Sequence, residues 1–187
     1  MTIELTSEPK VWVTSDWHFW HNKPFIWQNR GFSSIEEMNE YIINAHNSIV
    51  QPDEDVYVLG DLMLGDSEKG IECIKQMNGK LHIVFGNHDT ETRKKLYAEL
   101  PNVVEMANVI TIKWKKHHFY MSHYPTITSN NGYDKPIAQR TLNLCGHTHT
   151  FDPWSDIDKG YIYHCEMEAH KCEPILLDDI LQAFYSL

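Results

Sequence analysis

Five short segments of this chain combine side chains that bind metals with side chains that transfer protons. They are Asp16-Trp17-His18, Gly60-Asp61, Gly86-Asn87-His88-Asp89, His123-Tyr124-Pro125 and Gly146-His147-Thr148-His149. Each segment follows a run of apolar and β-branched residues of the kind that forms a buried strand. Ligand sites of open α/β sheets lie outside the carboxyl ends of the strands, so we expect the five segments to meet at one site.

The candidate metal ligands in these segments are oxygen and nitrogen donors. They are Asp16, His18, Asp61, Asn87, His123, His147 and His149. This set suits Mn²⁺, Fe, Zn²⁺ or Ni²⁺, and it contains no thiolate. Seven ligands are too many for one ion, whereas one shared carboxylate would give two ions about four protein ligands each. The pattern therefore predicts a two-metal centre with open positions for water and substrate.

The elements that must position these residues change in character along the chain. The segment before residue 100 alternates strand and helix patterns, and its clearest helix follows a capping box at Ser33–Glu37 and carries Met38 and Ile42 on one face. This order predicts a parallel sheet with right-handed crossovers. Closely spaced strand-like runs follow Pro101, at residues 103–106, 109–114, 117–122, 142–145 and 161–165. The first three are too close for helical crossovers, so part of this half should be antiparallel.

The bulk properties are those of one globular domain covering residues 1–187. No apolar run is long enough to span a bilayer, and the first residues lack the basic flank and apolar core of a signal peptide, so we expect a cytoplasmic protein without a membrane partner. A formal net charge of −10 argues against long duplex nucleic acid as the partner, because phosphate contacts require clustered Lys and Arg. The oligomeric state stays open.

Taken in order, the five motifs resemble those of the calcineurin-like metallophosphoesterase superfamily, and more closely its small single-domain bacterial and phage members. The resemblance covers nearly the whole chain. It implies an α/β fold, a four-layer α/β/β/α sandwich of two mixed β-sheets flanked by helices. It also implies two divalent metal ions, with Mn²⁺ favoured over Fe, Zn²⁺ or Ni²⁺.

The resemblance also implies a role for each motif residue. One metal would take Asp16, His18 and His149, the other would take Asn87, His123 and His147, and Asp61 would bridge them. His88 and Asp89 are the implied catalytic residues, with His88 the active-site acid and Asp89 its neighbour in the turn.

Substrate contacts are predicted at residues near these motifs. They are Asn87, His88, His21, Asn22, Lys135 and Arg140, the last two in a long loop over residues 124–141 that we interpret as a substrate loop. Ordinary surface charges are an equally good interpretation of Lys135 and Arg140. The tryptophans Trp17, Trp20 and Trp27 either pack in the core or wall the pocket.

The predicted function is a phosphoesterase that hydrolyses small phosphodiesters, such as cyclic nucleotides or activated aryl esters, by in-line attack of a metal-bridging hydroxide. A nuclease of the same superfamily acting on DNA or RNA is the alternative, and the acidic composition counts against it. A binding module that keeps its metals without catalysis is the second alternative. The intact His88 counts against that alternative.

Overall fold

The computed structural model describes residues 10–128, 134–156 and 161–187. The strands of its first sheet are β1 (Val11–Thr14), β2 (Asp55–Val58), β3 (Lys80–Val84), β4 (Val103–Ala107) and β10 (Ile175–Leu176). They are arranged in the order β10-β1-β2-β3-β4, with four parallel strands and β10 as an antiparallel edge strand.

The strands of the second sheet are β5 (Val109–Trp114), β6 (His117–Ser122), β7 (Thr141–Cys145), β8 (Trp154–Ser155) and β9 (Ile162–His164). They are arranged in the order β5-β6-β7-β9-β8. The three inner strands are parallel, and the two edge strands run antiparallel to their neighbours. Both sheets are therefore mixed.

Five α-helices occur in the described residues: α1 (Pro24–Trp27), α2 (Ile35–Ile49), α3 (Ser67–Lys75), α4 (Glu91–Ala98) and α5 (Leu177–Tyr185). The predicted capping box begins α2, since Ser34 Oγ accepts from the Glu37 amide and the Glu37 carboxylate accepts from the Ser33 amide. None of the helices in the described ranges is long and apolar enough to cross a membrane.

Alternate side chains of the first sheet enter two different cores. Trp12 and Ile83 face a core that they share with Met38 of α2 and Ile74 of α3. Residues of the opposite face, with Val13 as an example, pack against the second sheet and α5. The predicted α/β sandwich of two mixed sheets flanked by helices is thus confirmed, whereas one domain over residues 1–187 stays a prediction.

The structure differs from the sequence prediction in the sheet that β4 joins and in two short strands that were not predicted. β5 and β6 form the predicted antiparallel pair, but β4 joins the first sheet in parallel with β3 because α4 supplies the crossover before it. The chain then passes to the second sheet through Asn108. The two-residue strands β8 and β10 were not predicted, because two residues carry no measurable periodicity.

Candidate metal centre

The predicted ligands lie at neighbouring strand ends. Asp16 follows β1, Asp61 follows β2 and Asn87 follows β3 in the first sheet; in the second, His123 follows β6, and His147 and His149 follow β7. Backbone hydrogen bonds tie these ends together, from the Asp16 amide to the Gly60 carbonyl and from the Gly146 amide to the His123 carbonyl, both 3.0 Å. The two sheets therefore present their ligand segments at one edge of the sandwich.

Many of these residues have a backbone conformation that side chains disfavour. Asp16, His18, Asp61, His147 and His149 have φ angles of 58°, 52°, 53°, 79° and 51°. Residues with a side chain seldom adopt positive φ, and such conformations concentrate at functional sites. The fold thus accepts local strain in order to aim these five side chains.

Two glycines allow the ligand segments to approach each other closely. A methyl group added at Gly86 would overlap the Asp61 carboxylate, and one added at Gly146 would overlap the side chains of Ser15 and Asp16. Any other residue at either position would push the strand ends apart. The glycines in the Gly-Asn and Gly-His motifs therefore bring the ligands together.

Asp16, His18 and His149 form the first ligand cluster. The Nε2 atoms of His18 and His149 are 3.1 Å apart, and each lies within 3.8 Å of Asp16 Oδ1. Two nitrogens at about 2.1 Å from one ion are themselves about 3.0–3.4 Å apart, for angles at the ion from about 90° to the tetrahedral value. The spacing of the two imidazole nitrogens is therefore that of two ligands of one ion.

Asn87, His123 and His147 form the second ligand cluster. Asn87 Oδ1 lies 2.9 Å from His123 Nε2 and 3.0 Å from His147 Nδ1, and the two imidazole nitrogens are 3.2 Å apart. The ring of Tyr124 packs edge-on against both histidines. Three donor atoms thus converge here as they do in the first cluster.

One oxygen of Asp61 lies between the clusters. Asp61 Oδ2 is 3.8 Å from His18 Nε2 and 3.5 Å from His123 Nε2. The other carboxylate oxygen accepts a hydrogen bond from the His88 amide at 2.9 Å, which fixes the orientation of the group. Asp61 is consequently in position to contact an ion in either cluster.

The hydrogen bonds around the donors fit a bound cation. Asp16 Oδ1 is buried without a hydrogen-bond partner among the described residues, whereas Oδ2 accepts from the Ser15 hydroxyl and the His147 amide. A buried carboxylate oxygen without a donor is costly unless a cation satisfies it. Burial raises the pKa of Asp16, but the nearby histidines lower it more, so its net pKa is well below the ordinary value and the group is ionised.

In two of the ligand histidines, the ring nitrogen that points away from the cluster donates a hydrogen bond to an oxygen. His123 Nδ1 donates to the Leu59 carbonyl, and His149 Nδ1 donates to Glu168 Oε1, both at 2.8 Å. A donor bond at Nδ1 fixes the tautomer in which Nε2 carries the lone pair. Both rings therefore turn Nε2 toward their cluster, where a neutral ring can offer its lone pair to a cation.

The sequence analysis missed the buried pair Arg30 and Glu168. Arg30 donates to Glu168 Oε1 and to the Asp16 carbonyl, both at 2.8 Å, and both side chains are almost inaccessible to solvent. Burial raises the pKa of Glu168, but His149 and Arg30 lower it to about 2. No local pattern could have paired two residues 138 positions apart.

Asp89 lies behind the ligands and is not among the described residues that line the pocket. Its carboxylate accepts from the amides of Asp61 and Gly86 and from the Tyr97 hydroxyl, at 2.8–2.9 Å. Asp89 therefore holds the turn and the strand end that carry Asn87, His88 and Asp61. At this position Asp89 supports the residues around the pocket and does not itself line the pocket.

A pocket of about 480 Å³ opens over both clusters. His88 lines it with a side chain that is 38% exposed, and His21 lies beside it. Burial and the nearby His18 and His88 rings lower the pKa of His21 to about 4, so this ring is neutral near pH 7. Phe25 and Phe151, which the sequence analysis did not select, also line the pocket.

Two of the predicted substrate residues, Asn22 and Arg140, line other cavities. Arg140 lines a separate cavity of about 780 Å³ along β5 and β6, where its Nε donates to the Lys135 carbonyl. Asn22 lines a cavity next to Asp66. Residues 129–133 of the predicted substrate loop lie outside the described residues. Arg140 therefore lies away from the pocket over the clusters, and a substrate contact by Lys135 or Arg140 stays a prediction.

The tryptophans do not wall the pocket. Trp17 is fully buried in the first core, and Trp20 and Trp27 pack against that core from its margin. Trp20 also contacts the Lys69 ammonium at 4.2 Å from the ring centre. The packing interpretation of these residues is therefore the correct one.

Comparison with known proteins gives matches along most of the chain. Residues 10–163 match the model of the calcineurin-like phosphoesterase superfamily domain. An uncharacterized protein of Methanocaldococcus jannaschii is 29% identical over 178 residues, which cover 92% of this chain and 90% of that protein. The Gene 66 protein of Mycobacterium phage L5 is 31% identical over 82 residues, which cover 42% of this chain and 39% of that protein.

A solved structure shares the fold. The crystal structure of a protein of unknown function from Aquifex aeolicus superposes with a TM-score of 0.69 and 22% sequence identity. The superposition covers 94% of this chain and 99% of that chain.

Proposed function

The chain belongs to the calcineurin-like phosphoesterase superfamily, and on this premise we propose that it is a two-metal phosphoesterase that hydrolyses small phosphodiesters. The ligand residues are the seven donors of the two clusters described above. Asp16, His18 and His149 would hold one ion, whereas Asn87, His123 and His147 would hold the other. Asp61 would be in reach of both.

The position of Asp61 Oδ2 is the observation that carries this proposal. It lies within 3.8 Å of a histidine nitrogen in each cluster, so the two donor sets share one carboxylate oxygen. Two ions bound on either side of it would lie close enough to act on one phosphoryl group. Separate structural sites would not need a shared ligand.

When bound, divalent ions at these residues would supply Lewis acidity at the phosphoryl oxygens and would activate a water as nucleophile. Their identity stays a prediction, with Mn²⁺ favoured, because the donor set accepts several first-row metals. The chain itself orients the ligands through Asp89, Glu168 and the Leu59 carbonyl. These buried partners keep the donor geometry fixed while substrate enters and product leaves.

His88 is the proposed general acid. Its ring lines the pocket and its Nε2 lies 3.9 Å from Asp61 Oδ2, yet it completes neither cluster of donors. An alkoxide leaving group gains a large rate advantage from a proton, and a histidine beside the reacting phosphate can supply it. The amide of the same residue holds Asp61, which couples the position of the acid to that of the shared ligand.

The volume of the pocket and the net charge of the protein both favour a small substrate. A pocket of about 480 Å³ accommodates a ligand of the size of one nucleotide. The net charge of −10 opposes the binding of a longer polyanion.

A metal-reconstitution assay tests the proposal. Chelated protein should regain hydrolysis of bis(p-nitrophenyl) phosphate and cyclic nucleotides when Mn²⁺ is added, and elemental analysis should find two ions per chain. Single-stranded oligonucleotides should be poorer substrates. Faster cleavage of oligonucleotides would favour the nuclease, and two bound ions with no turnover on any ester would favour a non-catalytic binding module.

A further inference from the structure

Two exposed phenylalanines in the pocket have no role in the metal centre. Phe25 is 60% exposed and Phe151 is 65% exposed, the two highest values among the large hydrophobic side chains of the described residues. Both line the pocket that also contains His18, His88 and His149. Apolar rings concentrated at the mouth of a polar site are typical of a ligand-binding surface.

The local structure holds Phe25 outward and close to the reacting groups. It lies in α1, where the next residue, Ile26, is buried and anchors the helix to the core. The Phe25 ring packs edge-on against His21, with ring centres 5.7 Å apart. The His21 ring in turn lies 5.1 Å from His18 and 6.1 Å from His88. Phe25 is thus two ring contacts away from the proposed acid.

Phe151 reaches the same pocket from the second sheet. It lies two residues after His149, on the segment that follows β7. Phe25 and Phe151 are therefore supplied by separate parts of the chain. Phe25 contacts His21, whose ring packs against the ligand His18, and Phe151 follows the ligand His149 in sequence. Both rings line the same pocket as these ligands.

We propose that Phe25 and Phe151 form a subsite for a planar aromatic group of the substrate, either a nucleobase or an aryl ring. This inference rests on the proposed function, since the phosphoryl group of the same molecule would lie at the metal centre. An aromatic ring stacks on any base through its π-face, so the subsite selects for planarity and tolerates different bases. It would favour aromatic phosphoesters over alkyl phosphoesters of similar charge.

Binding of nonhydrolysable ligands tests the subsite directly. The probes are the methylenephosphonate analogues of adenosine 5′-monophosphate and of ribose 5-phosphate, which differ only in the base, titrated calorimetrically into Mn²⁺-loaded protein. A second pair, benzylphosphonate and methylphosphonate, distinguishes an aryl ring from a nucleobase. Phe25→Ala and Phe151→Ala should each weaken binding of an aromatic probe by about 5-fold or more and leave the non-aromatic probes unchanged.

Two further variants serve as controls. Phe25→Trp keeps a stacking face and should retain the affinity of the wild type. Tyr41→Ala removes an exposed ring of α2 that lines a different cavity, and it should change nothing. Equal weakening of both members of a probe pair, or no change in either alanine variant, would overturn the subsite.

The outcome is separable from that of the proposed function. A protein that binds the aromatic probes through Phe25 and Phe151 but hydrolyses no phosphoester would retain the subsite and lose the catalytic proposal. A protein that hydrolyses phosphoesters but binds the two members of each probe pair equally would keep the catalytic proposal and contradict the subsite.

Discussion

The two ligand clusters are built from similar donors but are supported differently. In the first cluster, His149 donates to the buried carboxylate of Glu168, which Arg30 also holds. In the second, His123 donates to the Leu59 backbone carbonyl, a neutral acceptor. The first cluster is thus backed by ionised side chains, and the second by the backbone of a strand end.

The ligands themselves also give the first cluster more negative charge than the second. The first cluster contains the carboxylate of Asp16, whereas the corresponding oxygen donor of the second is the neutral amide of Asn87. Negative ligands and negatively charged partners strengthen cation binding where solvent is excluded. If the chain binds two ions as proposed, we expect the first cluster to bind its ion more tightly than the second, so that the second ion is lost first.

Asp61→Ala removes the carboxylate oxygen that lies between a histidine of each cluster, and it should have the largest effect. Both ions should bind more weakly, and activity should fall further than it would on loss of a general acid. Loss of a general acid alone costs about 10²–10⁴-fold in rate. Asp55→Ala, at the start of the strand that precedes Asp61, is the matched control and should keep both ions. Two ions per chain in Asp61→Ala, measured by elemental analysis, would contradict the shared-ligand arrangement.

His88→Ala should separate acid catalysis from metal binding, because His88 completes neither cluster. We expect a loss of about 10²–10⁴-fold in kcat/KM on alkyl phosphodiesters and a clearly smaller loss on nitrophenyl esters, whose leaving group needs no proton. The metal content should stay at two ions, and the exposed His118→Ala should behave as wild type. An equal loss across leaving groups of graded basicity would assign His88 an electrostatic role instead.

Glu168→Gln should weaken the first cluster selectively, because it removes the charged acceptor of His149. The affinity of that site for Mn²⁺ should fall by about 10–100-fold, measured by competition with a chelator at equilibrium. This loss would bring the affinity of the first ion close to that of the second, so two distinguishable binding steps in the wild type should merge.

Glu105→Gln is the matched control, since Glu105 bonds His82 at 2.8 Å with the same geometry but outside the metal centre. It should leave both binding steps intact. Selective weakening of the second step by Glu168→Gln would reverse the comparison between the clusters.

Arg140→Ala should have the smallest effect, because Arg140 lines a cavity along β5 and β6 and not the metal pocket. We expect kcat and KM on bis(p-nitrophenyl) phosphate to change less than about 2-fold, within the range of ordinary surface substitutions. A several-fold rise in KM alone would restore the interpretation of Arg140 as a substrate contact.

The sequence by itself determined the chemistry and the alternation of elements. Donor types can be read residue by residue, and Gly86 and Gly146 mark the tight turns that carry Asn87 and His147. Hydrophobic periodicity predicted α2 and the inner strands, since a pattern over five or more residues reports which face is buried. These are local properties, and the chain encodes them locally.

Only the tertiary structure decided which residues support the ligands and which surround the substrate. Arg30 and Glu168 meet across 138 residues, and Phe25 and Phe151 meet at one pocket through the packing of separate segments. The tryptophans were the more conspicuous aromatic residues in the sequence, yet Trp17 lies in the core and Trp20 and Trp27 pack against it. Burial depends on the three-dimensional surroundings of a side chain, which its type and spacing along the chain do not specify.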